Sequence, residues 1–256
     1  MLKVLISNDD GIHATGIRTL TEVLSEQYAV YVVAPDRERS ATGHALTLHK
    51  PIKISPHTFE FEQVKDAYAV SGTPSDCVKL GLKALYSHID FDILVSGINH
   101  GPNLGSDVIY SGTVSAALEG ALHSLPSIAV SLMNGYDKQA DFLPAAHFIR
   151  KFLPKALDAG IPKRHVLNIN VPAVPESYMA GVQVCHLGTR MYTDAYERRV
   201  DPRGGIYYWL AGEVTESDND MDSDVEAIRN NMVSITPVHC DLTAYTEVGR
   251  LAQVLS

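Results

Sequence analysis

The chain has 256 residues, 45% of them hydrophobic and 20% charged, which is enough apolar material for one sizeable core with an elaborated C-terminal part. A formal net charge of −9 with no basic run argues against a partner as long and anionic as a nucleic acid. No apolar stretch approaches the roughly 18 residues of a membrane span, and the opening MLKVLISNDDG turns acidic too soon for a signal peptide, so a cytoplasmic location is expected.

In chain order, KVLIS at 3–7 predicts a strand, and a helical pattern follows from Gly16 to Gln27. AVYVVAP at 29–35 is a second strand, stopped by its proline. Residues 50–72 contain the short strand candidates PIKISP and AYAVSG. Pro74 stands where helix starts favour proline and opens a helix to Tyr86. DILVSG at 92–97 is a third strong strand, followed by a helix over Thr113–His123 and the strand SIAVSL at 127–132. A helix over Ala140–Leu157 and the strand HVLNINVP at 165–172 complete the run. Short apolar strands separated by helices indicate βαβ units, hence an α/β, Rossmann-like and mostly parallel sheet with helices on both faces. In such sheets ligands bind outside the carboxyl ends of the strands.

After residue 172 the pattern changes. GVQVCHLGTRMYTDAYERRVDP and GGIYYWLAGEV predict two antiparallel strands joined at Asp201–Gly205, then the strand NMVSITPV and a closing helix at 243–254. A Tyr- and Trp-rich hairpin of this kind often pairs with another subunit. Residues 1–172 thus form the core and 173–256 the C-terminal extension. Cys77, Cys185 and Cys240 form no CxxC pair and are expected as reduced, buried thiols.

Three polar clusters follow predicted strands: Asn8-Asp9-Asp10-Gly11, then Arg37 to His44, then Ser96 to Asn103. Parallel strands would bring all three loops to one edge, where Asp9, Asp10, Ser40 and Asn99 could converge. Two carboxylates, a hydroxyl and a carboxamide make an all-oxygen site suited to Mg²⁺, Mn²⁺ or Ca²⁺. Taken alone, Asp-Asp-Gly is an ordinary turn or capping sequence. Ser111-Gly112-Thr113 opens a helix and offers either an ordinary N-cap or a phosphate-binding turn. His44 and His100 flank the site and could bind phosphate or act as an acid, and Arg37 and Arg39 could also meet phosphate. Asp218, Asp220 and Asp222 alternate as in an EF-hand, but Ser223 and Arg229 stand where that loop needs Gly and Glu, so a solvated loop is expected. No GxGxxG, GxxxxGK[ST], HExxH or GxSxG is present.

SNDDGIHATGI, VVAPDRERSATGHALTL, SGTPSDCVKLGL, LVSGINHGPNLGSDVIYSGTVSAALEG and VSITPVHCDLT together resemble the stationary-phase survival protein SurE family, in order along nearly the whole chain. The resemblance implies a single domain over 1–256 and a metal-dependent nucleotidase acting on nucleoside 5′- and 3′-monophosphates, with short polyphosphate as a further substrate. It puts one divalent ion per subunit on Asp9, Asp10, Ser40 and Asn99, and the phosphate around Asn103, Ser111, Gly112 and Thr113. It also implies a dimer or tetramer that exchanges C-terminal elements. The alternative class is a non-catalytic nucleotide sensor or a receiver-like module. A receiver needs an aspartate at the end of the third strong strand and a lysine at a later strand end. Here the first position reads Ser96-Gly97-Ile98-Asn99 and ITPV offers no lysine.

Overall fold

The computed structural model describes residues 1–133, 140–193, 195–212, 214–216 and 219–255. Runs of Val, Ile, Leu and Ala form β1 (Lys3–Ser7) and β2 (Ala29–Pro35), almost wholly buried, as strands covered on both faces must be. Between them α1 (Thr15–Ser25) buries Ile17, Leu20 and Leu24 on one stripe. β3 (Ile54–Pro56) and β4 (Val64–Val70) follow. Then comes α2 (Pro74–Leu80), started by a reciprocal Thr73–Asp76 capping box with Pro74 in the first turn. The helix expected to Tyr86 changes character at Gly81, and residues Gly81–Leu85 form a wider π-type turn.

The core continues with β5 (Ile93–His100), α3 (Gly112–Leu122), β6 (Ser127–Met133), α4 (Leu143–Ala159) and β7 (His165–Pro172). The C-terminal part holds β8 (Gly181–Val184), β9 (Arg190–Tyr192), β10 (Tyr196–Val200), β11 (Ile206–Leu210) and β12 (Val214–Glu216). It ends with α5 (Asp224–Arg229), β13 (Met232–His239) and α6 (Tyr245–Leu255).

The main sheet has the order β3-β4-β2-β1-β5-β6-β7-β13-β8. Only β3 against β4 and β13 against β7 pair antiparallel within it. Helices α1 and α4 pack together over one face, on a core of Ile17, Leu20, Leu24, Ile149 and Leu153. Helices α2 and α3 pack over the other. The chain runs outward from β1 to β2 and β4, then returns to place β5 on β1's other side. The order therefore reverses between β1 and β5, and a crevice opens there at the carboxyl ends.

The expected long C-terminal hairpin is divided. Its tip is as expected, with β10 against β11 from Tyr196–Leu210 to Val200–Ile206, and β9 pairs with β12 below it. The start of its first arm, β8, instead joins the main sheet parallel to β13. Buried Asp224 explains the diversion: its Oδ1 accepts the Gly188 N–H at 2.8 Å and its Oδ2 the Gly105 N–H at 2.9 Å, turning the chain between β8 and β9. Among the described residues no helix is long and apolar enough to cross a membrane.

Candidate active site

Adjacent residues in a strand face opposite ways, so Asp9 and Asp10 serve one site only if the strand ends first. It ends at Ser7. Asn8 then closes the turn: its Oδ1 accepts the Gly11 N–H at 3.2 Å and its Nδ2 donates to the Gly11 carbonyl at 2.9 Å. Gly11 has φ +97°, and a Cβ there would stand 2.9 Å from the Arg37 carbonyl carbon, so only glycine fits.

Asp9 is buried, and its Oδ1 accepts the Thr113 hydroxyl at 2.5 Å. Its backbone carbonyl accepts the Arg39 N–H at 2.7 Å, drawing the loop after β2 onto β1. Half-buried Asp10 accepts the His100 N–H on Oδ2 at 3.1 Å. Burial, with the Asp10 charge adding to it, pushes the Asp9 carboxyl up to about 7 against the opposing pull of Thr113. Asp10 is also raised, chiefly by burial, with the His100 N–H opposing.

Helix α3 points its first turn at this pair. Ser111 is its N-cap, accepting the Val114 N–H on Oγ at 3.1 Å, and its first turn carries no acidic residue. A Cβ on Gly112 would lie 2.7 Å from Asp9 Oδ2, so the missing side chain lets the carboxylate lie against the helix start. Ser111 is thus an N-cap, and the helix start it caps faces the Asp9 carboxylate.

Ser40 lies on the loop held by Arg39, and its hydroxyl donates to Glu38 Oε1 at 2.8 Å. Asn99 lies within β5, beyond the end expected at Gly97, because an irregularity between Ser96 and Asn99 lets the strand run on. Its Nδ2 donates to the Gly101 carbonyl at 2.7 Å, and its Oδ1 has no partner among the described residues. Asn103 is anchored on a buried polar platform. Its Nδ2 donates to Ser131 Oγ and its N–H to Asn170 Oδ1, both at 2.8 Å. Its carbonyl accepts Asn168 Nδ2 at 2.8 Å and Asn170 Nδ2 at 3.0 Å.

The histidines separate. His100 stays at the site, its ring edge-on to Phe142 with centroids 6.0 Å apart. His44 reaches α3 further along, with Nε2 2.8 Å from Glu119 Oε2. Lys79 also bonds Glu119, at 3.2 Å. Burial raises the Glu119 carboxyl, but the bonds from His44 and Lys79 win and hold it at about 2. Arg39 spends its guanidinium on the Ser71 carbonyl and Asp36, and exposed Arg37 pairs with Asp36. Asp218 lies outside the described residues. Asp220 is exposed and bonds His186, as a solvated loop would.

A cleft of about 270 Å³ adjoins Asp10, lined also by Thr15, Gly16, Glu38, His100 and Phe142. A cavity of about 290 Å³ beside Asp90, Phe91 and Leu125 lies at the amino ends of the strands, away from this chemistry.

The donor set fits a hard divalent cation. Two crowded carboxylates, one of them buried, are unfavourable together without positive charge nearby, and among the described residues no Lys or Arg side chain bonds either one. Among the described residues no cluster of three or more His, Cys, Asp or Glu side chains is arranged around a metal position. Ser40 and Asn99 carry the neutral oxygens of the expected donor set.

The family described as Survival protein SurE matches residues 4–194. The chain belongs to the SurE family. Its SurE relatives include the "5′-nucleotidase SurE" of Gloeobacter violaceus, 53% identical over 98% of this chain and 94% of that protein. That of Carboxydothermus hydrogenoformans is 44% identical over 98% of this chain and 95% of its own length. The crystal structure of the SurE protein from Aquifex aeolicus superposes with a TM-score of 0.85 at 37% identity, covering 99% of this chain and all of that one. The SurE fold, with its parallel core and added C-terminal strands and helix, is therefore the fold of this chain.

Several residues that shape the site carry little sequence signal. Asn8 looks like any turn residue, and Glu119 like the polar face of a helix. Asn168 and Asn170, two apart in an apolar strand and fully buried, are the exception: buried amides on one strand face announce a polar partner.

Proposed function

We propose that this chain is a divalent-metal-dependent phosphomonoesterase that hydrolyses nucleoside 5′-monophosphates, and also 3′-monophosphates, to nucleoside and inorganic phosphate. Short polyphosphate is a side substrate in this reading. The observation that carries it is the buried Asp9 carboxylate, set beside Asp10 and pressed against the uncharged first turn of α3. The name "5′-nucleotidase SurE" borne by the relatives supports it.

Asp9, Asp10, Ser40 and Asn99 would hold one Mg²⁺ or Mn²⁺ per subunit. When bound, such an ion withdraws charge from phosphorus and acidifies the attacking water. The start of α3 at Ser111, Gly112 and Thr113, with the Asn103 side-chain amide, would hold the phosphoryl oxygens, the positioning on which phosphoryl transfer depends. Thr113 fixes one Asp9 oxygen, and Asp9 accepts the proton of the attacking water. His100 stands beside Asp10 and gives a proton to the departing nucleoside oxygen. His44, tied to Glu119, holds the Ser40 loop in place.

The reading includes a cytoplasmic homo-oligomer, dimer or tetramer, built through the C-terminal elements. Tyr196, Ile206, Tyr208, Trp209 and Leu210 are all exposed on the hairpin, and α6 has no buried residue. Both features fit surfaces that another subunit covers.

The test is phosphate release from a panel of nucleoside monophosphates with Mg²⁺, with Mn²⁺ and with neither, for wild type and Asp10→Asn. Metal-dependent release that the variant loses is the expected result. Tight nucleotide binding with no release under any condition would make the site a sensor's recognition site instead.

A further inference from the structure

Asn103 and Ser111, both assigned to the phosphate above, are joined by residues 104–110, which contain a 3-10 turn over Gly105–Ile109. Asn103 is held on the Asn168 and Asn170 platform. At the other end Ile109 and Tyr110 are exposed, so burial does little to fix the residues that lead into Ser111. Hydrogen bonds do this instead. The Asp107 carbonyl accepts the N–H groups of Tyr110 at 3.0 Å and of Ser111 at 3.1 Å.

Asp107 is in turn gripped by β9, which lies outside the main sheet, paired with β12. Its Oδ2 accepts Arg190 Nη1 at 2.6 Å and the Tyr192 hydroxyl at 2.7 Å. The Arg190 and Asp107 side chains are mostly buried, where a charge-assisted bond is strong and little screened. The Arg190 guanidinium also lies over the Tyr192 ring, 5.9 Å from its centre. Beside this pair the Ser106 hydroxyl donates to the Arg190 carbonyl at 2.8 Å. Gly105, at φ +52°, approaches the Gly188 carbonyl so closely that a Cβ would stand 2.5 Å from its oxygen. Residues 105–107 are therefore fastened at every position to the C-terminal extension, since Asp224 holds the Gly105 N–H.

We propose that Asp107 and Arg190 are positioning residues: through them the base of the C-terminal hairpin sets the turn that presents Ser111, Gly112 and Thr113 to phosphate. The proposal rests on the phosphomonoesterase reading and adds that the extension is part of the catalytic unit, not only an arm between subunits. The Ser40 loop has its own hold, the Arg39 N–H on the Asp9 carbonyl, so the metal side should not depend on the pair.

The test compares wild type with Arg190→Leu, Arg190→Lys and Asp107→Asn. Binding of inorganic phosphate in Mg²⁺ is measured by calorimetry, Mn²⁺ binding by electron paramagnetic resonance, and kcat/KM with a nucleoside 5′-monophosphate. In Arg190→Leu and Asp107→Asn, phosphate affinity and kcat/KM should each fall about tenfold, within the loss that a small misplacement of binding groups produces. Mn²⁺ affinity should be unchanged, and Arg190→Lys should recover most of the phosphate affinity. Amide exchange at Tyr110 and Ser111 should quicken in Arg190→Leu while the middle of α3 exchanges as in wild type. Wild-type phosphate affinity in both Arg190→Leu and Asp107→Asn overturns the proposal. So does an equal loss of Mn²⁺ and phosphate affinity, which general loosening would give. A wild type that binds phosphate in an Arg190-dependent manner yet hydrolyses no nucleotide keeps the positioning role and rejects the esterase reading.

Discussion

Gly112→Ala puts one carbon where Asp9 already lies. The new Cβ would be 2.7 Å from both Cβ and Oδ2 of Asp9, closer than real carbon contacts allow. Asp9 cannot simply swing away, because it is buried, its Oδ1 holds Thr113 and its carbonyl holds Arg39. Two effects oppose each other. Alanine gains up to about 1 kcal/mol over glycine inside a helix, and less at the first position. Overpacking a tight contact costs about 1–3 kcal/mol. The clash wins, with an expected net loss of about 1–2 kcal/mol, or roughly 2–8 °C in melting temperature for a chain of this size. The functional loss should be larger, because the carboxylate and the anion-facing turn move apart together. Metal-dependent phosphate release should fall about 100-fold, the range seen when one preorganised electrostatic contact is removed. Thermal melts and phosphate assays on the same preparation check both numbers. A variant that melts at or above wild type and hydrolyses nucleotide normally would show that α3 does not press on Asp9.

The Asp9 carboxyl, raised to about 7, favours folding only while protonated, so its contribution is complete below its ordinary value near 3.8 and is lost as pH rises through 7. Asp9→Asn should therefore melt higher than wild type at pH 8 in EDTA and lower than wild type in saturating Mg²⁺, as read by melts in the two buffers. Glu119 has the opposite sign: held at about 2, it stabilises above its ordinary value of 4.5 and ceases to do so as pH falls toward 2, so Glu119→Gln should flatten acid denaturation in that window, followed by circular dichroism. Asn170→Ala strips Asn103 of the acceptor for its buried N–H and should cost about 2 kcal/mol in urea unfolding while raising KM for phosphate esters. Trp209→Asp, on an exposed hairpin face, should leave the melting of the core unchanged but shift sedimentation toward the monomer.

How far the sequence could be read follows from how local each signal is. The core strands were legible because burial on both faces forces a continuous apolar run, and KVLIS and AVYVVAP can hardly be anything else. The carboxyl edge of the sheet was legible as the place to look for chemistry, since parallel strands bring the loops after β1, β2 and β5 to one side, but the strand order that sets β5 beside β1 was not. The path of residues 181–192 was not, because Asp224 decides it from a position more than thirty residues later in the chain, on a different element. Nor was the extension of β5 through Asn99, which depends on an irregular pairing with β6 that no periodicity encodes. His44 shows the same limit. Its place in a polar cluster suggested contact with substrate, yet its partner is a glutamate two turns into α3.

The site also runs against the fold that carries it. Most residues around it are placed to lower the free energy of the chain, as the Thr73–Asp76 box and the apolar stripe of α1 do. Asp9 is not: a carboxylate buried beside a second carboxylate raises the energy of the ionised, metal-free chain. The surrounding contacts act to keep it there regardless. Asn8 locks the turn, Thr113 holds one oxygen, and the bare Gly112 leaves room for the other. In the metal-dependent reading proposed above, a cation that binds the folded state alone would return stability by RT ln(1 + [L]/Kd), about 2.7 kcal/mol at a hundredfold excess over Kd. The stability of this protein should therefore depend on divalent metal most steeply above pH 7, where Asp9 is ionised whether or not an ion is bound.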